Sequence, residues 1–276
     1  VEGEGPPAAR VTALLLRQRD MALVHEAAGA SVHLLAGGDA ASAPAAPATV
    51  RLGPGPGPLF HSAWSAGPAP AEGVRIPSPA GCAALRALRA VSGVARVHMV
   101  SLRPAPGPGG RPAGPIDALV PDDPPPERPP WPPGADWTVQ EARVPHTRCW
   151  LVACAVECRR PAVRAELLSR LSRVPRVLLA PARLGFTDSA VLAEFFRDLG
   201  RPDGSFWETV VFSDSLVACG STVRFWAAAH ESSAAAEAID AVRVLARTAS
   251  PARSAALTSL ALREAGAAAA LEGLTA

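Results

Sequence analysis

The chain has 276 residues, 49% of them apolar, and a formal net charge of +2. That length suits two ordinary domains or one large one, with a substantial core, and the near-neutral balance leaves no strong electrostatic footprint for nucleic acid. All 27 basic side chains are Arg and there is no Lys, Tyr or Asn, which points to a GC-rich gene and makes Arg usage a matter of codon supply before function. Five Cys without regular spacing argue against a disulfide scaffold. No run of about eighteen apolar residues is present to span a membrane. The first residue is Val, so either a leader has been removed or further residues lie upstream; an intracellular protein, in a mitochondrion or another organelle after leader removal, is one expectation.

In chain order, Arg10–Arg17 reads as a strand, Asp20–Gly29 as a helix and Ser31–Leu35 as a second strand. No glycine-rich turn follows a strand, so the cradle that holds a dinucleotide pyrophosphate is missing and no cofactor is expected. Gly53, Gly55 and Gly57 alternate with Pro, which removes amide donors and makes a stiff surface loop. Val94–Ser101, Trp137–Ala142 and Cys149–Glu157 read as strands, separated by a Pro/Gly-rich stretch over Leu102–Pro133. Alternation along the third strand puts Cys154 and Cys158 on one face and Cys149 on the other, so these thiols do not form a tetrahedral metal set, and no metal is expected. Ala162–Val174 is an amphipathic helix with Val163, Leu167, Leu168, Leu171 and Val174 on one face. Pro175–Ala180 is a strand, and Asp188 caps a helix carrying Val191, Leu192, Phe195 and Phe196 that stops at Gly200. Two β-rich runs, Glu208–Phe212 and Ser221–Ala227, flank Gly220. A helix follows from near Ala234 with Ile239, Val242, Val244 and Leu245, and Pro251–Leu274 forms a C-terminal helix. Strand, helix, hairpin and helix in that order predict an α+β fold with helices on one face of a mixed or antiparallel sheet.

The segments RVLL, DLGR, VVFSDS, AAAHES and EAIDAVR, with the earlier GPIDALVPDDPP, resemble in order the catalytic domain of the archaeal-type (type II) glyceraldehyde-3-phosphate dehydrogenases. The resemblance implies three parts: a truncated Rossmann-like remnant over 1–73, a catalytic-fold domain over 74–245, and a C-terminal helix over 246–276 that packs back on the N-terminal part. The family's first βαβ unit is expected to lie outside this chain. An ungapped reading through Ser78, Arg86 and Leu88 places Pro79 where the family has its nucleophilic Cys at a helix N-terminus. Cys82 lies about one turn too late, roughly 5 Å along the helix. The family's base His positions fall on Trp150 and Val152, with His146 four residues upstream as a weak substitute, and the nicotinamide-contacting Asn becomes Ala238. Arg103 matches one of a pair of Arg near the substrate phosphate, and its neighbour is Pro104. Asp240 and Arg243 are kept and suit a salt bridge on a helix surface as well as any other role.

Scaffold residues read through while the chemistry-bearing ones fail together, so the first expectation is a non-catalytic structural or interaction protein on this scaffold. It would be a subunit of a larger assembly or a homo-oligomer. If that particle holds RNA, Arg159, Arg160, Arg164, Arg170, Arg173 and Arg176 offer a basic stretch. One alternative is a divergent NAD(P)-dependent aldehyde dehydrogenase with Cys82 as a reactive thiol. Another is a sugar-phosphate-binding regulatory module around Arg103.

Overall fold

In a computed structural model the structure describes residues 32–36, 48–52, 58–65, 73–104, 119–121, 132–145, 149–262 and 264–274. The expected strand and helix over Arg10–Gly29, most of the GPIDA loop, and His146 lie outside the described residues.

Two sheets organise the molecule. Strands β1 (His33–Ala36), β2 (Thr49–Leu52) and β3 (Val74–Ile76) pair in parallel, in that spatial order. Gly73 enters β3 at φ 122 with its Cα against the Thr49 backbone, an approach that leaves no room for a Cβ. The second sheet has eight strands: β4 (Val94–Pro104), β5 (Val120–Pro121), β6 (Asp136–Val144), β7 (Trp150–Cys158), β8 (Val177–Ala180), β9 (Thr209–Phe212), β10 (Val217–Cys219) and β11 (Thr222–Ala229). Their order is β5-β6-β4-β7-β11-β9-β8, with β10 paired to β11 outside that path. β4 and β6, and β8 and β9, run parallel while the other neighbours are antiparallel, so the sheet is mixed as expected. Val74–Ile76 hydrogen-bonds to β2 and so sits in the small parallel sheet.

Helix α1 (Pro79–Leu88) follows β3 directly. Ser78 caps it, its hydroxyl accepting from the Gly81 amide, and Pro79 occupies the first turn, where a missing N–H costs nothing. Ala80, Ala83, Ala84 and Ala87 let the helix lie close on the inward face of the large sheet, against Val97, Met99, Val152, Cys154, Phe225 and Ala227. Helix α2 (Arg164–Leu171) buries Leu167 and Leu171, but Val163 is exposed and the helix is shorter than the apolar spacing suggested. Helix α3 (Ser189–Asp198) starts at Asp188, whose carboxylate accepts from the Ala190 and Val191 amides, and ends before Gly200 at φ 74.

Helix α4 (Glu231–Leu245) starts three residues earlier than its apolar pattern indicated, because His230 serves as its cap. It is buried almost all round, with Ala234, Ala235, Ala238 and Ile239 packed against Val50, Val74 and Ile76 of the parallel sheet. The expected single C-terminal helix is two, α5 (Pro251–Ala261) and α6 (Glu264–Gly273), broken after Leu262. Among the described residues no helix is long and apolar enough to cross a membrane.

Candidate functional site

Helices α1 and α4 meet between the two sheets, and a cluster of buried charges fills the junction. Glu237 on α4 is fully buried and accepts from Arg86 of α1 and from the Ser62 amide (2.7 Å) and hydroxyl (3.0 Å). Arg176, at the entry to β8, donates from Nη1 to Asp240 (2.8 Å) and lies 3.5 Å from Glu237. Its other nitrogens donate to Ser259 Oγ (3.0 Å) and the Ala255 carbonyl (2.9 Å) of α5. Asp240 also accepts from Thr258 (2.6 Å) and Ser254 (3.0 Å), and Arg243 donates to Thr258 (2.6 Å). Glu237, Asp240 and Arg243 recur every three residues, so one stripe of α4 carries all three.

Burial opposes charge on Glu237, but His61 once protonated, the Arg86 and Arg176 guanidinium groups and the Ser62 amide hold its carboxyl well below the ordinary range. Burial pushes Asp240 up, with Arg176 working against it and Glu237 adding to it. His61 is driven down to about 4 by burial despite Glu237 at 3.9 Å. Its ring is therefore neutral, with Nδ1 accepting from the Ala63 amide and Nε2 donating to the Cys82 carbonyl.

This cluster corrects two expectations. Asp240 and Arg243 are not a surface pair, since both are buried. Arg176 is not part of an exposed basic stretch, since its guanidinium is only 1% exposed. Of the remaining stretch, Arg159, Arg160 and Arg173 are exposed. Arg164 is tied to the Leu216 and Ser213 carbonyls, and Arg170 to Ser92 and Glu166.

Pro79 is half-buried at the α1 N-terminus and brings no nucleophile there. Cys82 lies one turn further into the helix. It packs in the core formed by α4 and the parallel sheet, its thiol donates to the Pro77 carbonyl (3.4 Å), and burial raises it far above the ordinary thiol range. Trp150 and Val152 both face the inward core, next to the alanine face of α1. Ala238 is fully buried against the parallel sheet. Cys154 and Cys158 pack in the inward core and Cys149 in a separate one behind the sheet, as strand alternation requires. Among the described residues no group of three or more His, Cys, Asp or Glu is arranged to hold a metal.

One step past the Leu102–Leu151 pair, Arg103 on β4 comes level with Trp150 on β7. Arg103 Nε lies 3.1 Å from Glu141 on β6, and Ser101 is fully buried on the same face. The inward end of β4, β6 and β7 thus joins Arg103, Glu141, Ser101 and Trp150, beside α1.

With that geometry in place, the chain is 32% identical over 178 residues to a glyceraldehyde-3-phosphate dehydrogenase of Hyperthermus butylicus, covering 60% of this chain and 51% of that one. The corresponding protein of Metallosphaera sedula is 31% identical, covering 57% and 48%. That of Halobacterium salinarum is 31% identical, covering 64% and 55%. The chain spans about half the length of the curated relatives it matches. No known family profile matches it. Among solved structures it resembles an aspartate semialdehyde dehydrogenase II of Vibrio cholerae complexed with ASA, with TM-score 0.53, 14% identity and 72% of each chain covered.

The fold is that of the glyceraldehyde-3-phosphate dehydrogenase-like catalytic domain. Reading the sequence missed that Arg86, Glu237, Asp240 and Arg243 form one buried cluster. The recurrence of Glu237, Asp240 and Arg243 every three residues in a stretch rich in Ala, Ile and Val was the available signal.

Proposed function

We propose that this chain is a divergent relative of the NAD(P)-dependent glyceraldehyde-3-phosphate dehydrogenases that keeps the ligand-holding end of their fold, with a small anionic aldehyde or acid as its ligand. The observation that carries this reading is the identity of about one third to named dehydrogenases, which runs through more than half of the chain. The semialdehyde dehydrogenase fold and the polar end of β4, β6 and β7 support it. All five Cys are accounted for: Cys82, Cys149, Cys154 and Cys158 are buried, and Cys219 is exposed on the β10–β11 hairpin. Oxidation of glyceraldehyde 3-phosphate by this chain is therefore expected to be independent of Cys82. The test is formation of reduced nicotinamide from that aldehyde with NAD or NADP, before and after alkylation.

A second reading, a non-catalytic subunit on the same scaffold, is favoured by Pro79, Trp150, Val152 and Ala238 at the family's working positions. It expects no turnover and a stoichiometric partner on purification from the native source. Arrival alone as a small homo-oligomer would remove its main support. Contact with RNA through Arg159, Arg160, Arg170 and Arg173 belongs to this second reading.

A further inference from the structure

The fold redraws the basic stretch that runs through the sequence. Arg176 turns into the interior, and Arg164 is tied to the Leu216 and Ser213 carbonyls with Asp214 beside it. In their place the fold brings in Arg89, at the end of α1. Arg170 Nη1 donates to Ser92 Oγ (2.6 Å) in the turn between α1 and β4, and the Arg159 amide donates to the Gly93 carbonyl of the same turn (2.7 Å). Arg160 follows Arg159, and the Arg173 amide donates to the Arg170 carbonyl (3.0 Å) just past α2. Arg89, Arg159, Arg160, Arg170 and Arg173 therefore gather around the start of β4, at the end of the large sheet opposite Arg103.

Glu166 offsets Arg170 at 3.5 Å, and Glu157 and Asp136 offset Arg96 further along β4. Arg89, Arg159, Arg160 and Arg173 are exposed, and among the described residues none of the four forms an ion pair. Like charges gathered on one rim repel one another, and a chain of anions relieves that repulsion. Arg89 adds a second kind of contact. Its guanidinium carbon lies 4.9 Å from the centre of the Trp64 ring, and the Trp64 Nε1 is fixed by donating to the Leu85 carbonyl (2.7 Å). The indole thus backs one side of an exposed cation. A carboxylate pairs with the edge of a guanidinium, whereas an unpaired base stacks on its plane. A single-stranded nucleic acid uses both features, phosphates for the free Arg and a base for the backed one.

We infer that this rim binds single-stranded RNA, with phosphates on Arg159, Arg160 and Arg173 and a base stacked on Arg89 over Trp64. The inference rests on the RNA contact of the second reading and adds to it the Arg89–Trp64 platform, which no single stretch of the sequence displays.

Titration of the full chain with a fluorescent oligouridylate of about twelve nucleotides tests it, read by anisotropy across about 50–200 mM salt. The logarithm of the binding constant should fall with the logarithm of salt at a slope of about −3, from four phosphates at about 0.7 each. Arg159→Gln and Arg160→Gln should each lower that slope by about 0.7. Arg183→Gln, after β8, and Arg253→Gln, on α5, should leave it unchanged. Arg89→Lys keeps the charge and loses the plane, so it should weaken binding about fivefold or more at an unchanged slope. Polyglutamate of the same length should bind more weakly and be indifferent to Arg89→Lys. All the substituted side chains are exposed, so the variants keep the fold, checked by melting. No binding at the lowest salt, a slope unchanged by Arg159→Gln and Arg160→Gln, or a slope lowered equally by the two distant variants would each overturn the assignment. So would wild-type binding by Arg89→Lys, or polyglutamate bound as tightly as the RNA, which would give the rim to an acidic protein instead. The readout is binding by the purified chain, so turnover of an aldehyde and capture of a protein partner are separate results.

Discussion

Cys82 shows at the scale of one residue why a sulfur on the right helix is not a nucleophile. Its thiol is buried away from Trp150 and Val152, and a reactive thiol needs thiolate character and access. Under native conditions iodoacetamide should label Cys219 and leave Cys82 unmodified, read by peptide mass spectrometry, and rapid labelling of Cys82 would contradict the packing. Arg86 holds one side of buried Glu237, so Arg86→Leu leaves a charge short of its partner. It should cost about 3–5 kcal/mol in chemical denaturation. His61 titrates near 4 folded and 6.5 unfolded, so between those values the unfolded chain binds more protons and stability falls as pH falls. The slope should approach about 1.4 kcal/mol per pH unit. Glu237, with its folded value depressed, adds stability above its ordinary 4.5 that is lost as pH falls further. Asp240, raised by burial, works in the opposite sense, so comparing His61→Gln with the wild type isolates the imidazole: the variant should show a flatter slope between 6.5 and 4.

Elements with local signals were legible in the sequence. Helix α3 carries a capping Asp, helical apolar spacing and a terminal Gly, and the structure forms it within those limits. Asp188→Ala should cost about 1 kcal/mol, seen as a lower Tm. Strands β4, β6 and β7 were found from alternation, because one face is buried and the other is not. Helix α4 was read three residues short, since its first turn is capped by His230 and holds Ser232 and Ser233 in place of apolar residues. Helix α5 defeats the usual pattern altogether: it buries Ser254 and Thr258 while Leu260 is 78% exposed. Its inward face is chosen by Asp240, Arg243 and Arg176, which no local window of sequence displays. Thr258→Val keeps the shape and removes both the donor to Asp240 and the acceptor for Arg243, so α5 amides should exchange faster with solvent than those of α3.

At the scale of the molecule, the two sheets are joined through α1, α4 and α5 by charges that every neighbouring element helps to satisfy. The fold class was legible because segment order and periodicity carry it. The candidate site was legible only as a set of replaced positions, Pro79, Trp150, Val152 and Ala238. The polar corner formed by Ser101 with Trp150 depends on strand register across β4 and β7, which is a tertiary fact. The account's central claim is that this scaffold serves as a divergent dehydrogenase whose chemistry does not use Cys82. The most direct measurement is reduced-nicotinamide formation from glyceraldehyde 3-phosphate by the protein purified from its native source, with and without prior treatment with iodoacetamide. The account predicts turnover that survives alkylation. No turnover by folded protein, or turnover lost when Cys82 is alkylated, would contradict it, and the first of these would leave the non-catalytic subunit as the standing reading.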